Sequence, residues 1–136
     1  MKTTNYTDTF IEVAEDCPVE IAEIPPLKGD ARTIANLQYE MIKNNPYKFT
    51  SDDVIFGIYA VKNDLTKKEL DKEREIFFSK GQACFRSSSL AKRYGWGIHS
   101  NSEGKIAIYP IESAEYKDLS KDKGINHLKA MRSKRV

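Results

Sequence analysis

Residues 92–109 read KRYGWGIHSNSEGKIAIY: an alternating segment, a polar loop ending in Gly104, and a second alternating segment. This pattern specifies an antiparallel ribbon, with strands over Gly95–His99 and Lys105–Tyr109 joined by Ser100–Gly104. Pro110 closes the sheet. An isolated hairpin is marginal in water, so the ribbon needs a further strand. Residues 8–14, DTFIEVA, alternate in the way a half-buried strand does and supply it. Strand geometry puts Tyr94, Trp96 and Ile98 on one face and Gly95, Gly97 and His99 on the other. If the first face meets helices, Trp96 is core. The glycines then leave the second face bare, open to a backbone or a ligand.

The rest of the chain carries mainly helical signals. Asp30 is a candidate N-cap for a helix bearing Ile34, Leu37 and Met41 at helical spacing, ended by Asn44-Asn45-Pro46. Thr50 and Asp53 have capping-box spacing, which favours a helix over VIFGIYAV (54–61), although that β-branched, aromatic run also suits a buried strand. Thr66 is placed to cap a helix over Lys67–Ser79, with Leu70, the Arg74 stem, Phe77 and Phe78 turned inward and Gly81 as a left-handed stop. Residues 17–30 hold three prolines and read as an extended connection. Ser87-Ser88-Ser89 reads as loop and Ser113 opens a short helix. Beyond Gly124 the pattern suggests a last helical segment, Ile125–Met131, and a basic tail, Arg132–Arg135. The expected architecture is α+β: a small antiparallel sheet of about three strands, with helices packed mainly on one face.

At 136 residues the chain has the size of a single domain, 1–136, large enough for one core without covalent staples. A net charge of +2 implies no strong field for nucleic acid or membrane. Charge is nevertheless uneven. Residues 1–60 carry 5 Lys/Arg against 10 Asp/Glu, and residues 61–136 carry 17 against 10. The simpler reading is that the halves lie side by side and attract; the sharper one is a basic face for an anionic partner. The opening MKTTNYTDTF lacks the apolar core of a signal peptide, and no apolar run approaches a membrane span. A cytoplasmic protein with reduced thiols is the expectation.

Candidate chemistry gathers between residues 84 and 99. Cys84 precedes Arg86, a cation that lowers a thiol pKa when both share a face. His99 ends a strand, and Glu103 or Glu12 are conceivable carboxylate partners for a general base. Cys84 with His99 could make a nucleophile–base pair, but a buried apolar thiol is the commoner state of a free cysteine. Arg86, Ser88, Lys92 and Arg93 make an anion-friendly cluster of guanidinium, ammonium and hydroxyl groups. With Trp96 and His99 they form the candidate ligand site. Two cysteines and two histidines suffice in number for zinc, yet neither CxxC nor HxxxH spacing occurs, so no metal site and no cofactor are expected.

The segments TNYTDTFIEVAEDCP (4–18), TIANLQYEMI (33–42), NPYKFTSDDV (45–54), FFSKGQACFRSS (77–88), KRYGWGIHS (92–100), GKIAIYP (104–110) and KAMRSKR (129–135) carry a likeness that covers nearly all of the chain. In them the protein resembles a family of small soluble bacterial proteins grouped as a domain of unknown function. That resemblance implies no activity and no catalytic residue. The chain departs from the family pattern at Ala83 and around Leu90, at Ser89 and Ala91, where proline is expected. Those departures should loosen the loop and spare its polar groups. The reading that follows is a small cytosolic domain that binds an anionic or aromatic ligand near residues 84–99. Its alternatives are an enzyme using Cys84 or His99, and, more weakly, a nucleic-acid accessory protein working through the basic second half.

Overall fold

The computed structural model describes residues 2–133. They form β1 (Thr9–Glu12), α1 (Ile34–Lys43), α2 (Ser51–Lys62), α3 (Leu70–Ser79), a 3₁₀ turn at Phe85–Ser87, α4 (Ser89–Lys92), β2 (Trp96–Ser100), β3 (Ile106–Pro110), α5 (Ala114–Lys121) and β4 (Asn126–Lys129). The fold is α+β. Its sheet has the order β3-β2-β1-β4. The ribbon β2–β3 pairs antiparallel, with Ile98 opposite Ile108, and β1 pairs antiparallel with β2, with Ile11 opposite Ile98.

The fourth strand corrects the sequence reading. Residues 126–129 are not helical; they pair parallel to β1, with Phe10 opposite His127 and Ile11 opposite Leu128. Over so short a segment the helical and strand periods are hard to separate. What decides is the free edge of β1: Asn126 N–H donates to the Asp8 carbonyl (2.7 Å) and Ala130 N–H to the Glu12 carbonyl (2.9 Å). Lys134 and Arg135 of the expected basic tail lie outside the described residues.

The core lies on the face bearing Ile11, Trp96, Ile98, Ile106 and Ile108, which packs with Ile42 of α1, Val54 and Ile58 of α2, and Leu90 and Ala91 of α4. α2 starts as expected: Thr50 Oγ1 accepts from Asp53 N–H (3.1 Å) and the Asp53 carboxylate accepts from Thr50 N–H (3.0 Å). α1 starts at Thr33 rather than Asp30, because Thr33 Oγ1 is the acceptor for Asn36 N–H (3.1 Å). α3 begins only at Leu70, since Thr66 spends its N–H and hydroxyl on the Glu69 carboxylate. Gly81 is not a left-handed stop. α3 ends with an extended Lys80, and Gln82 Nε2 donates back to the Phe77 carbonyl (2.7 Å). Residues 87–89 are not open loop: Ser88 caps α4 by accepting from Leu90 N–H (3.2 Å).

The opposite face is not bare either. α5 packs there, with the Phe10 and Tyr116 rings edge to face at 5.0 Å. A Cβ on Gly97 would sit 2.5 Å from Phe10 Cζ and 2.6 Å from Tyr116 Cε2. The absent side chain at 97 is therefore the space those rings fill. Among the described residues no helix is long and apolar enough to cross a membrane.

Candidate functional site

The residues picked from the sequence do not meet in one hollow. Trp96 is 5% exposed, its Nε1–H donates to the Glu23 carbonyl (2.8 Å), and Tyr39 packs against its ring. Arg86 Nε donates to the Lys129 carbonyl (2.9 Å), which pins β4 to the 3₁₀ turn. Lys92 closes α4 and Arg93 follows it at the surface. His99 lies on the Phe10 face, and Cys84 lies among the helices on the other side of the sheet. The sheet separates them, so a Cys84–His99 nucleophile–base pair does not form.

His99 meets neither Glu103 nor Glu12. Tyr47, in the α1–α2 connection, places its Oη 2.8 Å from His99 Nδ1 and 2.7 Å from Tyr109 Oη. Tyr47 has φ +58°, a backbone state that costs a bulky residue on the order of 1 kcal/mol. Its N–H bond to the Ile106 carbonyl (2.9 Å) and its two hydroxyl contacts hold it there. Burial lowers the His99 pKa below the usual imidazole value, against the pull of the Asp122 and Asp8 carboxylates, and keeps the ring neutral. Burial and the neighbouring Tyr109 hydroxyl raise the Tyr47 phenol far above its usual range. The result is a phenol–phenol–imidazole chain laid over one sheet face.

A deeper hollow lies on the other side of the sheet. A cavity of about 460 Å³ opens between α1, α2, the end of α3 and residues 82–89. Its walls are largely apolar, with Ile34 and Ala35 from α1, Ile55 and Ile58 from α2, and Phe77 from α3. Its polar groups come from Gln38, from Tyr59, Lys62 and Asn63 of the α2 end, and from Gln82, Cys84 and Ser87–Ser89. Cys84 and Ser88, two of the sequence candidates, line it. Cys84 Sγ lies 3.4 Å from Tyr6 Oη, and that contact, with burial, raises the Tyr6 phenol pKa. Ser87 Oγ donates to the Cys84 carbonyl (2.8 Å) and Ser88 Oγ to Gln38 Oε1 (2.6 Å), so the polar wall is fixed by its own hydrogen bonds. Two grooves beside α2, meeting at Gly57 and Val61, are more open. No group of three or more His, Cys, Asp or Glu side chains among the described residues is placed to hold a metal ion.

A family model described as a family of unknown function (DUF6157) matches residues 1–136. The chain belongs to DUF6157. No curated protein and no solved structure matches it. In this DUF6157 chain the sequence reading missed Gln38, Tyr47 and Tyr6. Gln38 looked like one more flank of an amphipathic helix. Tyr47 follows Pro46 in what read only as a helix stop. The one available signal was that stop itself: a helix broken and restarted within seven residues leaves a short loop whose aromatic side chain must lie against something.

Proposed function

We propose that the chain acts as one small cytoplasmic ligand-binding domain, and that the cavity between α1, α2, α3 and residues 82–89 is its binding site. The observation that carries this is the cavity itself. Its size, about 460 Å³, falls in the range of small-molecule sites. Its composition does too: apolar walls with a few fixed polar groups on one side. The site keeps Cys84 and Ser88 of the sequence expectation and drops Arg86, Lys92, Arg93, Trp96 and His99, which lie outside its lining. Both cysteines are free thiols, which supports a reducing compartment.

The test is a thermal-shift screen of small apolar and aromatic compounds, repeated on Ala35→Phe. Ala35 is 8% exposed and lines the cavity, so a phenyl ring there fills it from the α1 side. A ligand at 100 times its Kd adds about 2.7 kcal/mol. Hits that stabilise the native chain and lose their effect on a folded Ala35→Phe protein support the site. Hits that keep their effect place binding elsewhere, and a screen without hits removes the proposal. A second reading, acid–base chemistry at His99, draws on the Tyr109–Tyr47–His99 chain and the lowered imidazole pKa. A turnover assay against acyl and glycosyl esters, with Tyr47→Phe as the contrast, separates the two readings.

A further inference from the structure

The polar side of the cavity has a definite hydrogen-bond sign. Ser88 Oγ accepts from Leu90 N–H (3.2 Å) as the cap of α4 and gives its own proton to Gln38 Oε1 (2.6 Å). A hydroxyl has one proton to give and needs an acceptor for it. That bond places the amide oxygen at Ser88 and turns its nitrogen away. Gln38 is 9% exposed and lines the cavity. Its Nε2 has no hydrogen-bond partner among the described residues. It is also not sealed in protein, unlike Asn36 Oδ1 and Ser120 Oγ, buried polar atoms that have no partner among the described residues. Two N–H bonds on a side chain nine-tenths buried are thus left for whatever enters the cavity.

The charges around that amide narrow the ligand. Among the described residues the lining contains no carboxylate, and its cation, Lys62, is exposed at the end of α2, where Nζ reaches the Arg32 carbonyl at 3.4 Å. A carboxylate pushed in against Gln38 would lose its hydration and gain a neutral donor, a poor exchange. A hydrocarbon pushed in against it would cover the N–H bonds and leave them unsatisfied. An uncharged acceptor avoids both costs.

We propose that the cavity selects a neutral carbonyl compound with an apolar body, its oxygen accepting from Gln38 Nε2 and its body against Ile34, Ile55, Ile58 and Phe77. This rests on the cavity being a ligand site, and the test separates the two claims. Acetophenone, ethylbenzene and benzoate share a ring and differ in the head group. Their affinities for the intact chain are measured by ligand-observed NMR. The side-chain NH₂ pair of Gln38 is followed in nitrogen–proton correlation spectra. Acetophenone is expected to bind about tenfold more tightly than ethylbenzene and more tightly than benzoate, and to move the Gln38 NH₂ resonances as ethylbenzene does not. In Gln38→Met, acetophenone falls to the affinity of ethylbenzene. Equal binding of acetophenone and ethylbenzene, tightest binding of benzoate, or a preference that survives Gln38→Met overturns the head-group assignment and leaves the cavity standing. Failure of all three probes to bind removes the cavity reading with it.

Discussion

Replacing Gly97 by alanine tests whether the second face of the sheet is filled, as described above, or is the bare surface its glycines suggest. Gly97 does not have a positive φ, so alanine is compatible with the backbone there. Reduced freedom of the unfolded chain alone would stabilise the variant by about 0.5 kcal/mol. Against that stands a clash. The new methyl would lie 2.5 Å from Phe10 Cζ, 2.8 Å from Phe10 Cε1 and 2.6 Å from Tyr116 Cε2. Phe10 is fully buried and Tyr116 is 8% exposed, so neither ring has a free direction to take. Overpacking of this kind costs about 1–3 kcal/mol. Moving Tyr116 also endangers its Oη, which accepts from Val13 N–H at 2.9 Å, a bond worth about 1 kcal/mol. The expected net loss is about 2 kcal/mol, a fall in Tm of about 7 °C for a chain of this length. Gly57→Ala supplies the opposite sign. Its methyl meets only the flexible end of Met41, Cε at 3.2 Å, and alanine in place of glycine within a helix stabilises by up to about 1 kcal/mol. Urea titrations followed by circular dichroism measure both. A Gly97→Ala protein as stable as the parent, or more so, would refute the packing argument and reopen that face as a surface.

Three further outcomes follow from the same geometry. Cys84 lines the cavity, so any compound found in the screen is expected to slow N-ethylmaleimide labelling of Cys84 several-fold and leave Cys17 unaffected, read by peptide mass spectrometry; equal protection of both thiols would count against the site. The Asp52 carboxylate accepts from Thr3 Oγ1 (2.6 Å), Thr4 N–H (2.7 Å) and Thr4 Oγ1 (2.7 Å). Asp52→Ala should therefore cost about 3 kcal/mol and speed hydrogen exchange at the Thr4 amide, whereas an unchanged exchange rate would mean that the amino-terminal residues are held by something else. His99 has a folded-state pKa below its unfolded one. The unfolded chain therefore binds the proton first, and the contribution of His99 is complete above the ordinary imidazole value near pH 6.5 and is lost as pH falls through the folded value. Stability measured from pH 7.5 down to 5 should decline, and the part of that decline due to His99 should be absent in His99→Phe.

What was legible in the sequence was what local chemistry alone decides. The capping box at Thr50 and Asp53 settled VIFGIYAV as helix, because two backbone donors need those two side chains wherever the segment ends up. The β2–β3 ribbon was legible because its loop and its alternation agree. β4 was not, since nothing within residues 125–131 prefers a strand. Its conformation comes from the open edge of β1, more than a hundred residues away in sequence, and from the Arg86 guanidinium that grips the Lys129 carbonyl. The basic residues that read as an anion cluster include one whose task is to hold that edge. Arg86 is thus better explained by the fold than by a ligand.

The site was legible only in part for a related reason. A sequence displays the reactive groups, here Cys84, His99 and the cations, but a binding hollow depends on which polar atoms are left over after the fold has used the rest. Trp96 spends its one side-chain donor on the Glu23 carbonyl, Arg86 gives its Nε–H to the Lys129 carbonyl, and the Tyr47 hydroxyl occupies His99 Nδ1. Gln38 is the reverse case: an ordinary helix residue whose oxygen is claimed by Ser88 and whose nitrogen is not claimed among the described residues. Residue type cannot distinguish the two cases, because an amide that is fully satisfied and one that is half satisfied are spelled the same way. The difference appears only in the fold, where the Ser88 hydroxyl takes up the amide oxygen. In this fold, then, the amide offered to a ligand is held by the residue that caps α4, four positions beyond Cys84.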